Sequence, residues 1–333
     1  TSHLPTPERT SLLTWDMKSQ TLAYISDTTG TAEISMLGGG SFIESWSNQN
    51  FRSRISVKSV RNNTSQILLE DERVEDSILV KKDFFWMPIK DYQLRAWKML
   101  PPGFDSTQKY PVIFYVYGGP DSQEVVNEWS SNRNIWFNYM AQQGFIIVCV
   151  DNRGTKARGA EFKKMIYAKL GQYEVEDQMN AIRYMSSFDY VDSSQVFMFG
   201  WSYGGYMTLM CMMQDEELLK GGVSIAPVTD WRYYDAIYTE RYMRTPIGNP
   251  VGYDKGSPIK LANQLKGNLL LIHGTADDNV HYQNSLELSK KLIEFNKVFQ
   301  MNSYPNSRHG ISGSNTQLQL YTTITEFLLG LKE

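Results

Sequence analysis

The 333-residue sequence predicts an α/β protein in which a doubly wound, mostly parallel sheet follows a short β segment. Three observations predict this fold class. Continuous apolar runs recur from residue 112 onward, segments of helical length lie between them, and residues 1–75 contain only short, partly alternating runs. A chain of this length can bury a large core and also hold a smaller domain. We therefore expect a β domain over 1–75 and an α/β domain over 76–333.

The β segment shows no helical signals. Short runs at 11–15, 21–26 and 55–60 predict strands, separated by turn-rich segments such as Gly38-Gly39-Gly40. The pattern is typical of one or two blades of a β-propeller, or of part of a sandwich. Because so few strands cannot cover their own faces, we expect the segment to need neighbouring strands for stability.

The α/β domain is predicted from two kinds of segment. Alternation over 94–100, ending at Pro101-Pro102, predicts an antiparallel strand with one exposed face. Continuous apolar runs predict strands buried on both faces, at 112–117, 145–150, 196–199, 223–225, 269–272 and 298–301. Helices are predicted at 131–143, 173–187, 205–213, 283–296 and 317–329. Alternating strands and helices imply a parallel sheet covered on both sides.

The composition and formal charge argue against several kinds of partner. With 33 basic and 36 acidic residues the formal charge is −3, which gives no reason to expect nucleic acid or an acidic membrane surface. No run is long and apolar enough to span a bilayer, and residues 1–5 lack the features of a signal peptide. Cys149 and Cys211 fall in a predicted central strand and a predicted buried helix, so we expect free core thiols.

The segment Gly200-Trp201-Ser202-Tyr203-Gly204 lies between a predicted buried strand and a predicted buried helix. Strand, G-x-S-x-G and helix form the context of a nucleophile elbow, the tight turn that exposes a reactive serine in the α/β-hydrolase fold. The bare motif also occurs by chance in ordinary turns. In this setting it predicts that Ser202 is a catalytic nucleophile.

A serine nucleophile needs a base, and the chain has four histidines. His3 lies at the start of the chain, His273 ends a strand and His281 opens a helix, where packing or capping roles suffice. His309 lies in a loop after the last strand, and such loops converge on the site of a doubly wound sheet. His309 is therefore the predicted base. His273 and His281 have no convincing metal spacing, so we expect no metal.

The acid that orients the base should follow the strand before that of the histidine. Asp277 and Asp278 both occupy that position, and the residues alone leave the choice open. The order serine, aspartate, histidine matches the α/β-hydrolase arrangement. The oxyanion donors are expected to be the Tyr203 amide and a group from the loop 118–120. The glycines of that loop fit no nucleotide-binding spacing, so no cofactor is expected.

Longer stretches of the chain resemble the prolyl oligopeptidase family of serine peptidases, most closely its dipeptidyl peptidase IV branch. The resemblance covers residue 75 to the end and, more loosely, the β segment before it. The matching motifs are YVYGGP at 115–120, YEVEDQ at 173–178, GWSYGGY at 200–206, YDAIYTERYM at 234–243 and HGTADDNVH at 273–281. The resemblance implies an α/β-hydrolase fold after a β-propeller, of which the short β segment would be the end.

The resemblance also implies roles for individual residues. Ser202, Asp277 and His309 would form the catalytic triad, and the Tyr117 hydroxyl would be the second oxyanion donor. Asn279 would hold the carbonyl of the residue before proline. The specificity pocket would consist of Tyr203, Val228, Trp231, Tyr234, Tyr238 and Val280. A small aromatic and apolar slot suits a proline ring. Alternatively, Trp231, Tyr234 and Tyr238 could be core aromatics of one helix, since their spacing is i, i+3, i+7.

The activity implied by the resemblance is release of N-terminal dipeptides from peptides with proline or alanine at the second position. It also implies a homodimer and a periplasmic, cell-surface or secreted location. Two departures stand out. The propeller glutamates that bind the free amine in this branch have no match here, and Asp151-Asn152-Arg153-Gly154 replaces Asp-Gly-Arg-Gly, a change we expect a loop to tolerate.

Other functions fit the same residues. An acyl-peptide hydrolase, a prolyl endopeptidase or an esterase could use the same triad, because one fold supports many acyl groups. A catalytically silent binding protein is the alternative from another class. Such proteins usually lose a triad residue, whereas all three candidates are present here.

Overall fold

The computed structural model describes residues 6–62, 64–71, 79–129 and 132–332. Residues 1–5, where the sequence shows no signal-peptide features, lie outside the described residues, as does the predicted domain boundary at 75. The chain divides into two compact units. One consists of residues 1–83 and 125–139, and the other of residues 84–124 and 140–333.

The first unit is built from antiparallel strands. β1 (Leu13–Asp16) pairs with β2 (Thr21–Tyr24). A four-stranded sheet follows in chain order, with β3 (Thr31–Gly38), β4 (Ser41–Asn48), β5 (Phe51–Ser59) and β6 (Thr64–Glu70). Three of these six strands, β3, β4 and β6, are absent from the sequence prediction. Phe42 and Trp46 are buried, whereas β6 is exposed at every residue.

The second unit contains one eight-stranded sheet. Its strands are β7 (Asp83–Ile89), β8 (Tyr92–Met99), β9 (Tyr110–Val116), β10 (Ile146–Asp151), β11 (Val191–Trp201), β12 (Gly221–Ile225), β13 (Asn268–Gly274) and β14 (Gln300–Tyr304). The order in the sheet is β14-β13-β12-β11-β9-β10-β8-β7. The pairs from β14 to β10 are parallel, and β8 is antiparallel to β10. The predicted doubly wound, mostly parallel sheet of an α/β-hydrolase fold is confirmed.

Helices lie between these strands. They are α1 (Asn132–Gln142), α2 (Ala160–Lys164), α3 (Tyr173–Ser186), α4 (Tyr203–Met212), α5 (Ala236–Met243), α6 (Pro250–Lys255), α7 (Pro258–Leu261), α8 (Gln283–Glu294) and α9 (Ser314–Leu331). Every residue of α4 is buried, because it packs against β11 and β12 at the centre of the sheet. Among the described residues, no helix combines the length and apolar character needed to cross a bilayer.

The prediction of one exposed face on β8 is wrong. Leu94, Arg95, Ala96 and Trp97 are all buried, so both faces of the strand are covered. Arg95 occupies a polar position of the alternating sequence, which usually indicates an exposed side chain, yet it is buried. Its guanidinium carbon lies 5.0 Å from the centre of the Trp86 ring, so an aromatic face covers the charged side chain.

The strand order places the site. Successive strands step away from β9 in one direction to β10 and in the other to β11, so the winding of the chain reverses there. Ligands of open α/β sheets bind beyond the carboxyl ends of the strands at such a switch point. Tyr117 follows β9 and Ser202 follows β11, so the topology brings both to this position.

Candidate active site

Ser202 occupies a strained turn between β11 and α4. Its φ is 59°, in the left-handed region that residues other than glycine rarely adopt. A Cβ on Gly200 would lie 2.1 Å from the carbonyl oxygen of Gly204, and one on Gly204 would lie 2.1 Å from that of Val116. Both positions therefore require glycine, as the motif predicts. The turn ends β11 and immediately begins a helix, whose first amides point at the same region.

Asp277 lies in the turn after β13, and its buried carboxylate accepts hydrogen bonds on both oxygens. Oδ1 accepts from the backbone amides of Asn279 (2.9 Å) and Val280 (3.0 Å), and Oδ2 from Nδ1 of His309 (2.7 Å). Burial favours a raised pKa, but hydrogen bonds from His273 and His309 outweigh it and hold the pKa well below its usual range. The carboxylate is therefore ionised at neutral pH.

Asp278, the other candidate acid, has different surroundings. Its side chain is exposed, and its carboxylate lies 3.8 Å from the Arg308 guanidinium. An ion pair that is so exposed contributes little to the stability of the fold. Of the two aspartates that the sequence leaves open, Asp277 is the one that bonds to His309.

His309 lies in the loop after β14 and is partly exposed, at 23% of its side chain. Its backbone carbonyl accepts a hydrogen bond from the Trp201 indole nitrogen at 2.9 Å. Trp201 directly precedes Ser202, so this bond ties the histidine loop to the serine turn. Ser202, Asp277 and His309 follow β11, β13 and β14, whose carboxyl ends meet at one edge of the sheet.

His273 contributes to the site although the sequence suggested only a packing role. It is fully buried at the end of β13. Its Nε2 lies 3.1 Å from Oδ2 of Asp277 and 2.8 Å from the Val280 carbonyl, while Nδ1 lies 2.7 Å from the Ser285 hydroxyl. Both neighbours of Nε2 only accept hydrogen bonds, so that nitrogen carries a proton. His273 thus donates to the same carboxylate oxygen as His309.

Two candidate oxyanion donors lie near the serine. The Tyr117 and Tyr203 ring centres are 6.1 Å apart, and both residues line one small cavity with Ser202. Burial raises the pKa of Tyr117, so its hydroxyl keeps its proton and can donate. The Tyr203 amide is the first of α4, and such amides have no partner within their helix.

The cavity is small and has aromatic walls. Trp231 lies in a 3-10 turn and Tyr238 on α5, so the alternative of a single helix carrying core aromatics does not describe the structure. Their rings are stacked, with centres 6.1 Å apart. The lining consists of Tyr117, Ser202, Tyr203, Val228, Trp231, Tyr234 and Tyr238. Five of the six predicted pocket residues are therefore brought together beside Ser202.

The sixth, Val280, is fully buried and is not among these lining residues. Its backbone instead donates to Asp277 and accepts from His273. Asn279, next to it, accepts a hydrogen bond at Oδ1 from the Tyr234 hydroxyl at 2.8 Å. In this orientation the NH₂ group of Asn279 is the donor end of the amide.

Glu174 is a residue that sequence reasoning missed, although it lies in a motif quoted above. It is fully buried on α3. Its Oε1 accepts hydrogen bonds from the Tyr203 hydroxyl (2.8 Å) and the Gly171 amide (3.1 Å). Burial raises its pKa to about 7. An acidic residue of an amphipathic helix is expected on the exposed face. Its residue type alone therefore gave no sign that Glu174 is buried.

Asn152, which stands where relatives often have glycine, is also buried. Its Nδ2 donates to the carbonyls of Gly118 (3.0 Å) and Arg153 (2.8 Å), and its Oδ1 accepts from Gln178 (3.0 Å). These bonds satisfy the amide on both sides. Asn152 therefore supports the loop that carries Tyr117.

The fold and the serine turn define a protein of the α/β-hydrolase class. The family model "Prolyl oligopeptidase family" matches residues 131–332, and the chain belongs to this family. It is 40% identical to prolyl endopeptidase FAP of Mus musculus over 273 residues, which are 79% of this chain and 35% of that protein. It is 41% identical to the protein named "Probable dipeptidyl-aminopeptidase B" of Paracoccidioides lutzii over 264 residues, 78% of this chain and 28% of that protein.

A solved structure is also similar. The crystal structure of Porphyromonas gingivalis dipeptidyl peptidase 4 superposes with a TM-score of 0.93 at 36% identity, covering 98% of this chain and 47% of that one. The chain thus spans about half the length of this structure and about a third of the curated relatives it matches. The family resemblance inferred from the motifs is confirmed.

Proposed function

We propose that the protein is a serine exopeptidase that releases Xaa-Pro, or less readily Xaa-Ala, dipeptides from the N-terminus of peptides. The observation that supports this most is the strained Ser202 beside a small aromatic cavity, on the same sheet edge as the Asp277–His309 pair. Two of the relatives are named as dipeptidyl peptidases, which supports this chemistry, whereas a third is named as a prolyl endopeptidase.

The proposed reaction proceeds through an acyl-enzyme. Ser202 Oγ attacks the carbonyl carbon of the second residue while Nε2 of His309 takes the hydroxyl proton. The hydrogen bond to Asp277 holds Nδ1 of His309 protonated and stabilises the imidazolium that forms. His309 then gives its proton to the leaving amine, and a water molecule releases the dipeptide by the reverse sequence.

The developing oxyanion would accept from the Tyr117 hydroxyl and the Tyr203 amide. The aromatic cavity would hold the side chain of the second residue, and its size favours a proline ring or a methyl group over larger side chains. Asn279 would donate to the carbonyl of the first residue. In this proposal the pocket selects the second residue, and Val280 supports the triad turn without lining the pocket.

The proposal also covers the first unit, the assembly and the location of the protein. We propose that the first unit is the end of a β-propeller and that recognition of the free amine belongs to that propeller. A homodimer and a periplasmic, cell-surface or secreted location are further proposals, supported by the resemblance to the dipeptidyl peptidase IV branch.

A panel of substrates tests the proposal with the full-length protein. Gly-Pro and Lys-Ala p-nitroanilides should be hydrolysed, and the same amides with an acetylated N-terminus should be hydrolysed at least about 100-fold more slowly. Preference for the acetylated amides would replace the proposal by the endopeptidase or acyl-peptide hydrolase alternative. A fluorophosphonate probe that fails to label the protein would indicate a silent binding protein.

A further inference from the structure

A buried carboxylic acid lies directly behind the aromatic cavity. Glu174 sits at the second residue of α3, and the hydroxyl of Tyr203, a wall of the cavity, donates to its Oε1 at 2.8 Å. Both side chains are at least 97% buried, since Glu174 is 0% and Tyr203 3% exposed. A buried hydroxyl without an acceptor costs about 1–3 kcal/mol, so this bond strongly favours one orientation of the ring.

The Tyr203 ring contacts two other walls of the cavity, Tyr117 and Trp231, and the Tyr206 ring beside them. Its centre lies 6.1 Å from that of Tyr117, 5.4 Å from that of Trp231 and 5.2 Å from that of Tyr206. Trp231 in turn stacks on Tyr238. A shift of the Tyr203 ring would therefore displace Tyr117 and Trp231, because close-packed rings transmit displacements.

The backbone of Tyr203 is held independently of its side chain. It begins α4, which is fully buried and packed on β11 and β12. Glu174 acts only at the far end of the ring, on the hydroxyl. The candidate oxyanion amide and the pocket wall are thus the backbone and the side chain of one residue. The packing of α4 holds the backbone, and Glu174 holds the side chain.

The Glu174 carboxyl has few other polar contacts. Its Oε1 also accepts from the Gly171 amide, while Oε2 accepts no hydrogen bond from the described residues. A Cβ on Gly171 would lie 1.9 Å from the Tyr206 hydroxyl, so Tyr206 also reaches this buried polar position. Among the described residues, the hydrogen bonds of the Glu174 carboxyl go to Gly171 and Tyr203 and not to Ser202, Asp277 or His309.

We propose that Glu174 is a positioning residue for the specificity pocket: by accepting the Tyr203 hydroxyl it fixes the wall against which the second residue of the substrate packs. The inference rests on the proposed function, because that function assigns the cavity to this residue of the substrate. Loss of Glu174 should weaken binding of the proline ring and leave the chemical step on small acyl groups intact.

The test compares Glu174→Met and Glu174→Gln with Glu176→Gln in the full-length protein. Glu176 lies two residues along the same helix, is 41% exposed and pairs with Lys90 and Arg153, so it controls for loss of a carboxylate on α3. The substrates are Gly-Pro p-nitroanilide, which fills the cavity, and p-nitrophenyl acetate, whose acetyl group does not.

Glu174→Met, which has no acceptor, should raise KM for the Gly-Pro amide about tenfold, and Glu174→Gln, which keeps an amide oxygen, only about two- to threefold. Turnover of p-nitrophenyl acetate should stay within about twofold in both variants, as should all constants of Glu176→Gln. An unchanged KM in Glu174→Met would overturn the inference. A proportional loss on the acetate ester would also overturn it, because Glu174 would then act on the catalytic machinery or on folding as a whole.

Tyr203→Phe supplies the matching change on the other partner and remains informative if Glu174→Met does not fold. It should raise KM for the amide in wild type but have little further effect in the Glu174→Met background, because the two residues share one hydrogen bond. Additive effects would overturn the inference. Wild-type protein that hydrolyses the acetate ester but no Gly-Pro amide would overturn the proposed function itself, and the inference with it.

Discussion

Asp277 and Glu174 are two buried carboxyl groups in the same unit, and each bonds to a residue of the candidate site. Asp277 accepts four hydrogen bonds, two on each oxygen. Glu174 accepts from Tyr203 and Gly171 on one oxygen, and the other accepts none from the described residues. The pKa of Asp277 is held well below its usual range, whereas burial raises that of Glu174 to about 7.

The difference shows that donors, and not burial alone, decide the charge of a carboxyl group. Asp277 stays ionised because four donors replace its lost hydration, and only an ionised group can stabilise an imidazolium. Glu174 has too few donors for that, and its task, to accept a hydroxyl, does not require a full charge. The same unit therefore contains a carboxylate suited to the reaction and a carboxyl suited to holding a wall.

The largest expected effect comes from Asp277→Asn. The variant keeps the shape but can present an NH₂ group to Nδ1 of His309, which disfavours the tautomer that accepts the serine proton. We expect kcat for the Gly-Pro amide to fall about 10⁴-fold with little change in KM. Asp278→Asn, at the exposed neighbour, should stay within about twofold. The comparison fails if Asp278→Asn shows the larger loss.

The second largest expected effect is on the pH dependence of the free energy of unfolding, which distinguishes Glu174 from Asp277. Between the ordinary pKa of Glu174 and its raised value near 7, the folded state binds a proton that the unfolded state has lost. Wild type should therefore lose stability relative to Glu174→Gln as pH rises from about 5 to about 8, on the order of 2 kcal/mol. Urea unfolding of both proteins at the two pH values measures the difference in their free energies of unfolding. A difference that does not vary with pH would contradict the raised pKa of Glu174.

Other groups facing Glu174 do not alter this expectation. Asp177, on the same helix, adds repulsion that also raises the pKa of Glu174, and its own charge is paired with Arg153 at 2.6 Å. Tyr203, Tyr206 and Tyr238 have pKa values raised by burial and so stay neutral over this range.

The smallest expected effect concerns the second histidine on Asp277. His273→Ala removes one of four donors and should lower kcat about tenfold with KM unchanged, because the carboxylate is less well fixed. His273→Gln, which restores an N–H donor, should recover part of the loss. His281→Ala, at an exposed position in the next turn, should stay within about twofold. A loss confined to KM would contradict a role through Asp277.

Much of the second unit could be predicted from sequence, because its central strands are continuous apolar runs and its serine turn has a defined strand–helix context. β4 was missed because Glu44 interrupts the apolar residues of its buried face, where it pairs with Lys58. The buried face of β8 was missed because Arg95 is covered by an aromatic ring that the sequence does not bring near.

Within the site, residue type and chain order pointed to Ser202 and His309, but not to the partners of Asp277. The bond between His273 and Asp277 depends on how the turn after β13 folds back on its own strand end. The bond between Glu174 and Tyr203 joins two helices 29 residues apart in sequence. Such contacts follow from tertiary packing, which no local pattern encodes.

The most direct test of the central claim is hydrolysis of Gly-Pro p-nitroanilide by the full-length protein and by its Ser202→Ala variant. If Ser202 is the nucleophile oriented by His309 and Asp277, wild type should release p-nitroaniline and the variant should be slower by at least about 10³-fold. Equal rates in the two proteins would contradict the account.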